Sequence, residues 1–192
     1  MIWQRSRPAE GTAVETYLRA ARGYTGPIPR ALRFTACKHP SDGRFHPAMI
    51  AIVVIEGCMK RPVAVHRTFL RRDGKGKADL DPNKMTLGPC KGAAVPLAPA
   101  GPMLTVAEGN ETALSYMQAT GIPTWAALSA GGMRNLVLPE GVLETIIAAD
   151  PDPVGLMAAR AAARRWLAEG RKVSIARPTL GLDFNDILRA AG

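Results

Sequence analysis

The sequence predicts an α/β protein, a parallel sheet with flanking helices, preceded by a smaller basic α+β subdomain. Three observations predict it. Strand-like and helix-like runs alternate through the second half, a hairpin pattern dominates the first, and charge divides unevenly between them. The first hundred residues carry 17 Lys and Arg against 7 Asp and Glu, while the remainder carry 8 against 9. A basic half joined to a nearly neutral one points to contact with a polyanion, although basic residues also simply solvate a surface.

In the first half, Thr12 to Arg22 reads as a helix, with Thr12 as N-cap and Gly23 as its stop. Pro27 and Pro29 end regular structure there. Two apolar β-type runs follow, Ala48–Ile55 and Pro62–Leu70, and the residues between them suit the turn of a hairpin. Arg71, Arg72, Lys75 and Lys77 surround Gly74 and Gly76 in an expected flexible basic loop, with Lys84 beyond it. Gly88, Pro89, Gly92, Pro96, Pro99, Gly101 and Pro102 punctuate the chain, and place a boundary near residue 98. The expected units are therefore 1–98 and 99–192.

In the second half, strands are expected at Leu104–Ala107, Thr124–Leu128, Thr145–Ala149 and Lys172–Ala176. Helices are expected at Glu111–Ala119, Val154–Glu169 and Phe184–Ala190. In Val154–Glu169 an apolar face is formed by Leu156, Ala159, Ala163, Trp166 and Leu167. Trp125 and Trp166 suit the core better than a base-stacking role.

Composition narrows the class. Hydrophobic residues make up 47% and charged ones 21%, which is globular rather than disordered. No apolar stretch approaches the roughly 20 residues a membrane helix needs, and no apolar signal segment opens the chain. Three cysteines without Cys-x-x-Cys spacing form no disulfide framework or zinc ribbon, so a cytoplasmic protein without zinc is expected.

Ligands of parallel sheets collect at the carboxyl ends of the strands. Glu108-Gly109 follows the first strand of the second half, Asp150-Pro151-Asp152 the third, and Asp183 and Asp186 the fourth. Any one of these acids is explained by helix capping, and Asp152 is placed to cap Val154–Glu169. Acids from three segments at one edge repel without a cation, however, and hard oxygen donors suit Mg²⁺ or Mn²⁺.

These motifs resemble those of Toprim domains. Val106-Ala107-Glu108-Gly109-Asn110-Glu111 resembles their strand ending in Glu-Gly with an acid three residues after the Glu. Asp150-Pro151-Asp152-Pro153-Val154-Gly155 resembles their DxDxxG motif, and Asp183-Phe184-Asn185-Asp186 the tail of primase-type members. Val63–Leu70 and Pro82–Met85 resemble more loosely the basic subdomain preceding Toprim in bacterial and phage primases. The resemblance implies a primase-like nucleotidyltransferase of phage or mobile-element type, making RNA primers on single-stranded DNA from NTPs. It implies Glu108, Asp150 and Asp152 as catalytic residues, and these with Asp183 and Asp186 as ligands of Mg²⁺ or Mn²⁺. Arg67, Lys84, Arg71, Arg72, Lys75 and Lys77 would bind triphosphate and template. A separate helicase or zinc-binding protein is the implied partner, and no membrane. A Toprim nuclease using the same acids, and a non-catalytic single-stranded DNA-binding accessory, remain alternatives. Topoisomerase chemistry is not expected without a tyrosine nucleophile set in strand-passage domains.

Overall fold

The computed structural model describes residues 2–59, 62–178 and 182–190. The first part is a mainly antiparallel meander. A short helix α1 (Ile2–Arg5) and a two-residue strand β1 (Arg7–Pro8) lead to α2 (Ala13–Thr16), which continues as a π-helical turn over Tyr17–Ala21. Thr12 caps α2, its Oγ1 accepting from the Val14 N–H at 3.1 Å. Strands β2 (Leu32–Lys38), β3 (Phe45–Ile55), β4 (Pro62–Phe69) and β5 (Lys84–Leu87) then pair antiparallel in chain order. The sequence reading missed β2 and β5. Neither alternates cleanly, and each is held by the longer strand beside it rather than by its own pattern.

The tract 71–77 is ordered by packing, not free as a loop. Leu70 and Lys77 form a β-bridge across it. Gly74, at φ +69°, lies so close to α2 that a Cβ there would stand 2.7 Å from Thr16 Cβ and 2.9 Å from the Ala13 carbonyl oxygen.

The proline- and glycine-rich stretch contains another strand, β6 (Ala93–Pro96), antiparallel to both β3 and the second-half strand β8 (Thr124–Ala126). It joins the meander to a parallel array of order β8, β7 (Met103–Ala107), β9 (Glu144–Ala148) and β10 (Lys172–Ala176). Helices α3 (Asn110–Thr120), α4 (Ala130–Asn135), α5 (Pro153–Ala168) and α6 (Phe184–Ala190) complete this half. Strand β7 is central and buried on both faces from Leu104 to Ala107, as a parallel strand covered by helices must be. On α5 the buried residues include Ala158, Ala159, Ala162, Ala163 and Trp166, but Leu167 is exposed. The apolar face is thus rotated toward small alanines.

One core runs through both halves, joining Leu18, Ile52 and Val54 to Val95, Ala107 and Leu114. A second lies under α5 and contains Trp125 and Trp166, both almost wholly buried. A third covers the far face of the meander with Cys37, Ile50, Val65 and Phe69. Among the described residues no helix is long and apolar enough to cross a membrane.

Candidate active site

Glu108 sits where β7 ends and α3 begins. Its backbone carbonyl accepts from the Leu128 N–H at 2.7 Å, and its carboxylate accepts from the Ala130 N–H. The loop after β8 is therefore clamped onto Glu108. Leu128 adopts φ +71°, costly for a branched side chain, and Gly132 lies so close to Ala127 that a Cβ would fall 1.9 Å from its carbonyl oxygen. Neither constraint is visible in the local sequence pattern.

Asp150 and Asp152 follow β9. Asp150 Oδ1 is 3.5 Å from the Thr112 hydroxyl on α3, while Asp152 Oδ1 accepts from the Gly155 N–H at 2.8 Å and caps α5. Asp183 and Asp186 cap each other's ends of the first turn of α6. The Asp186 N–H donates to Asp183 Oδ1 at 2.7 Å, and the Asp183 N–H to Asp186 Oδ2 at 3.1 Å. Residues 179–181 lie outside the described residues.

The acids feel one another. Burial raises the Glu108 carboxyl above the usual range, and the charges of Asp150 and Asp152 raise it further. Asp150 is raised by burial and then by Asp152 and Asp183. Lys84 acts against both rises, more weakly. Such a group carries excess negative charge and hard oxygen donors, which fit a divalent cation. Among the described residues, however, no three acidic, histidine or cysteine side chains are gathered closely enough to enclose an ion. The donors match in charge and kind, and Asp152, Asp183 and Asp186 are engaged as helix caps.

One turn into α3 the balance reverses. Glu111 is buried, its Oε1 accepting from the Tyr17 hydroxyl at 2.8 Å and its Oε2 from Lys84 Nζ at 2.9 Å. Lys77 Nζ lies 3.6 Å from Oε1. Burial works to raise this carboxyl, but Lys84 and Lys77 overrule it and hold it well below the usual range. Behind them Arg22 Nε donates to the Tyr17 hydroxyl at 2.9 Å, and Asn185 Nδ2 donates to the Arg22 carbonyl at 2.7 Å. This chain of contacts ties α2, the 71–84 region, α3 and α6 together. His66 feels the same charges and is hydrogen-bonded to Thr86, and burial, then Lys84, push its imidazole down to about 4.

Residues 103–192 match the Toprim domain, and residues 1–97 match a domain of unknown function, DUF7146. The chain belongs to the DUF7146 family and carries a Toprim domain. No curated protein matches the sequence. Among solved structures, this Toprim protein is similar to the primase fragment of the bacteriophage T7 primase-helicase protein. The TM-score is 0.59 at 18% identity, covering 97% of this chain and 72% of that one. It is also similar to the catalytic core of DnaG, with TM-score 0.55 at 18% identity over 93% of this chain and 56% of that one. The zinc-binding and RNA polymerase domains of Aquifex aeolicus primase give TM-score 0.55 at 16% identity, over 85% of this chain and 41% of that one. The likeness is one of fold, and this Toprim protein spans only about half the length of the last two.

The sequence-predicted basic residues do not share one face of the sheet. Lys84 pairs across the strands with Thr68, and Arg67 with Met85, so strand alternation sends Lys84 and Arg67 to opposite faces. Of the 71–77 cations, Lys77 reaches Glu111, Arg71 pairs with Asp73 at 3.1 Å, and Arg72 and Lys75 are exposed. Sequence reasoning left Glu111 out of the site of this Toprim domain. Its signal was present, as the acid three residues after Glu108, but its two lysine partners lie 27 and 34 positions upstream.

Proposed function

We propose that the protein is a primase-type nucleotidyltransferase that makes RNA on a single-stranded DNA template. The observation that carries this is that Glu108 follows β7 and Asp150 and Asp152 follow β9, its parallel neighbour, so that acids meet at one carboxyl edge of the sheet and raise one another's carboxyls. In the reaction a 3′-hydroxyl oxygen bonds to the α-phosphorus of an NTP, the α–β anhydride bond breaks, and pyrophosphate leaves. Glu108, whose carboxyl is raised, takes the hydroxyl proton on a carboxylate oxygen. Lys84 and Lys77, held side by side by Glu111, receive the triphosphate. Glu108, Asp150, Asp152 and Asp183 would have to draw together from their present positions to hold Mg²⁺ or Mn²⁺, which would neutralise charge on the reacting phosphate. A separate helicase or zinc-binding protein is the partner this reading expects, since the similar T7 fragment comes from a primase-helicase.

The test is incubation with single-stranded DNA, labelled NTPs and Mg²⁺ or Mn²⁺. Template-dependent RNA that disappears in Asp150→Asn supports the reading. Cleavage of the DNA without NTPs assigns the same acids to a nuclease, and neither product from either metal overturns the catalytic reading.

A further inference from the structure

At its β2–β3 end the meander carries cations that make no ion pair among the described residues. Two adjoining cavities of about 300 and 510 Å³ share Lys38 and Arg67. Arg5 lines one of them, and no Asp or Glu lines either. Among the described residues, Arg5, Lys38 and Arg67 make no ion pair, whereas Lys77 and Lys84 are held by Glu111 and Arg71 by Asp73. Arg67 lies over the Phe69 ring, 5.7 Å from its centroid, so its guanidinium is oriented by packing. Its Nε is buried and has no acceptor among the described residues. A buried charged donor without an acceptor is costly, while the cavities on Arg67 leave room for a phosphate beside the guanidinium.

The same groove displays an aromatic ring. Phe45, at the start of β3, is 65% exposed and lines the cavity with Arg67 and Lys38. Among the described residues it is the aromatic side chain left most open, while Trp125 and Trp166 are sealed in the core. Unpaired cations beside an open aromatic ring are the combination that holds an unstacked strand, with phosphates on the cations and a base on the ring.

We propose that this groove, at the end of the meander where β2 turns into β3, is a second seat for single-stranded nucleic acid. The strand's phosphates contact Arg67, Lys38 and Arg5, and one base stacks on Phe45. The inference takes only the identity of the polyanion from the proposed function, and its test needs no catalysis. Binding of a fluorescein-labelled oligothymidylate is followed by anisotropy across a salt series in EDTA, for the full chain. Lys38→Gln with Arg67→Gln should flatten the logarithmic salt dependence by about 1.4, two contacts at about 0.7 each. Phe45→Ala should weaken binding at least about fivefold with the slope unchanged. Lys172→Gln, which removes an exposed charge on β10, should change neither. Lys38 and Phe45 are exposed, so Lys38→Gln and Phe45→Ala alone carry the test if Arg67→Gln fails to fold. Unchanged slope and affinity in the folded charge variants overturn the seat. Unchanged affinity in Phe45→Ala, or equal affinity for duplex, overturns its single-strand character. Because the assay excludes metal, its failure leaves the chemistry at Glu108 and Asp150 standing, and failed RNA synthesis leaves the groove standing.

Discussion

Glu108 and Glu111 leave the same strand–helix junction three residues apart, yet their carboxyls are shifted in opposite directions. Around Glu108 the neighbours are Asp150 and Asp152, and burial adds to their repulsion. Around Glu111 the neighbours are Lys84, Lys77 and Tyr17, and they overcome a greater burial. Desolvation has the same sign at both positions, so the difference is made by which charges the tertiary fold places nearby. The acid edge is left wanting a cation, while the pocket one turn away is already supplied with two.

The largest effect should come from removing the compensated charge. Glu111→Leu leaves two ammonium groups facing a buried apolar side chain, and unfolding in urea should show a loss of about 3–5 kcal/mol. A loss below about 1 kcal/mol would reduce the cluster to the status of a surface pair and erase the contrast. His66 sharpens it through pH. The unfolded chain takes up a proton near the ordinary value of 6.5, while the folded imidazole resists until about 4. Stability is therefore full above that ordinary value and falls on acidification by about 3 kcal/mol across the window. His66→Gln should remove that fall, as read from urea midpoints at each pH. Glu111 acts in the same direction at lower pH. Glu108 and Asp150 act oppositely: with carboxyls raised, their contribution is present at low pH and lost as pH rises through their folded values.

The next effect concerns the uncompensated side. At a Mg²⁺ or Mn²⁺ concentration a hundredfold above its dissociation constant, the native protein should gain about 2.7 kcal/mol. Asp150→Asn should abolish most of that gain in a thermal melt while slightly stabilising the metal-free protein. If the gain persists, the acid edge does not hold the ion. The smallest effect separates the two roles of Asp152. Asp152→Ala should lose about 1 kcal/mol of capping even in EDTA, whereas Asp152→Asn should keep the cap and lose only the response to metal.

The antiparallel hairpin, the parallel array and the acids at three strand ends were legible because each leaves a local mark. Apolar runs of strand length, a helix bounded by Asp152 and Gly170, and Glu-Gly or Asp-x-Asp directly after a strand can all be seen in sequence. The capping of α6 by Asp183 and Asp186 also has a local signature, yet the same spacing reads equally as a pair of metal ligands. Only the reciprocal backbone bonds show that both carboxylates are engaged.

What the sequence determined by itself was the order of elements and the kind of side chain at each strand end, because hydrophobic period and capping chemistry act within a few residues. Tertiary structure decided which charges meet. Lys77 and Lys84 reach Glu111 only because β4, β5 and the packed 71–77 turn bring them against α3, and strand alternation alone separates Lys84 from Arg67. Phe45 is likewise an ordinary strand residue in sequence, and it comes to line a cavity with Arg67 only once β2, β3 and β4 are paired. Electrostatic interaction depends on distance through space and on burial, and neither is encoded in the spacing of residues along the chain.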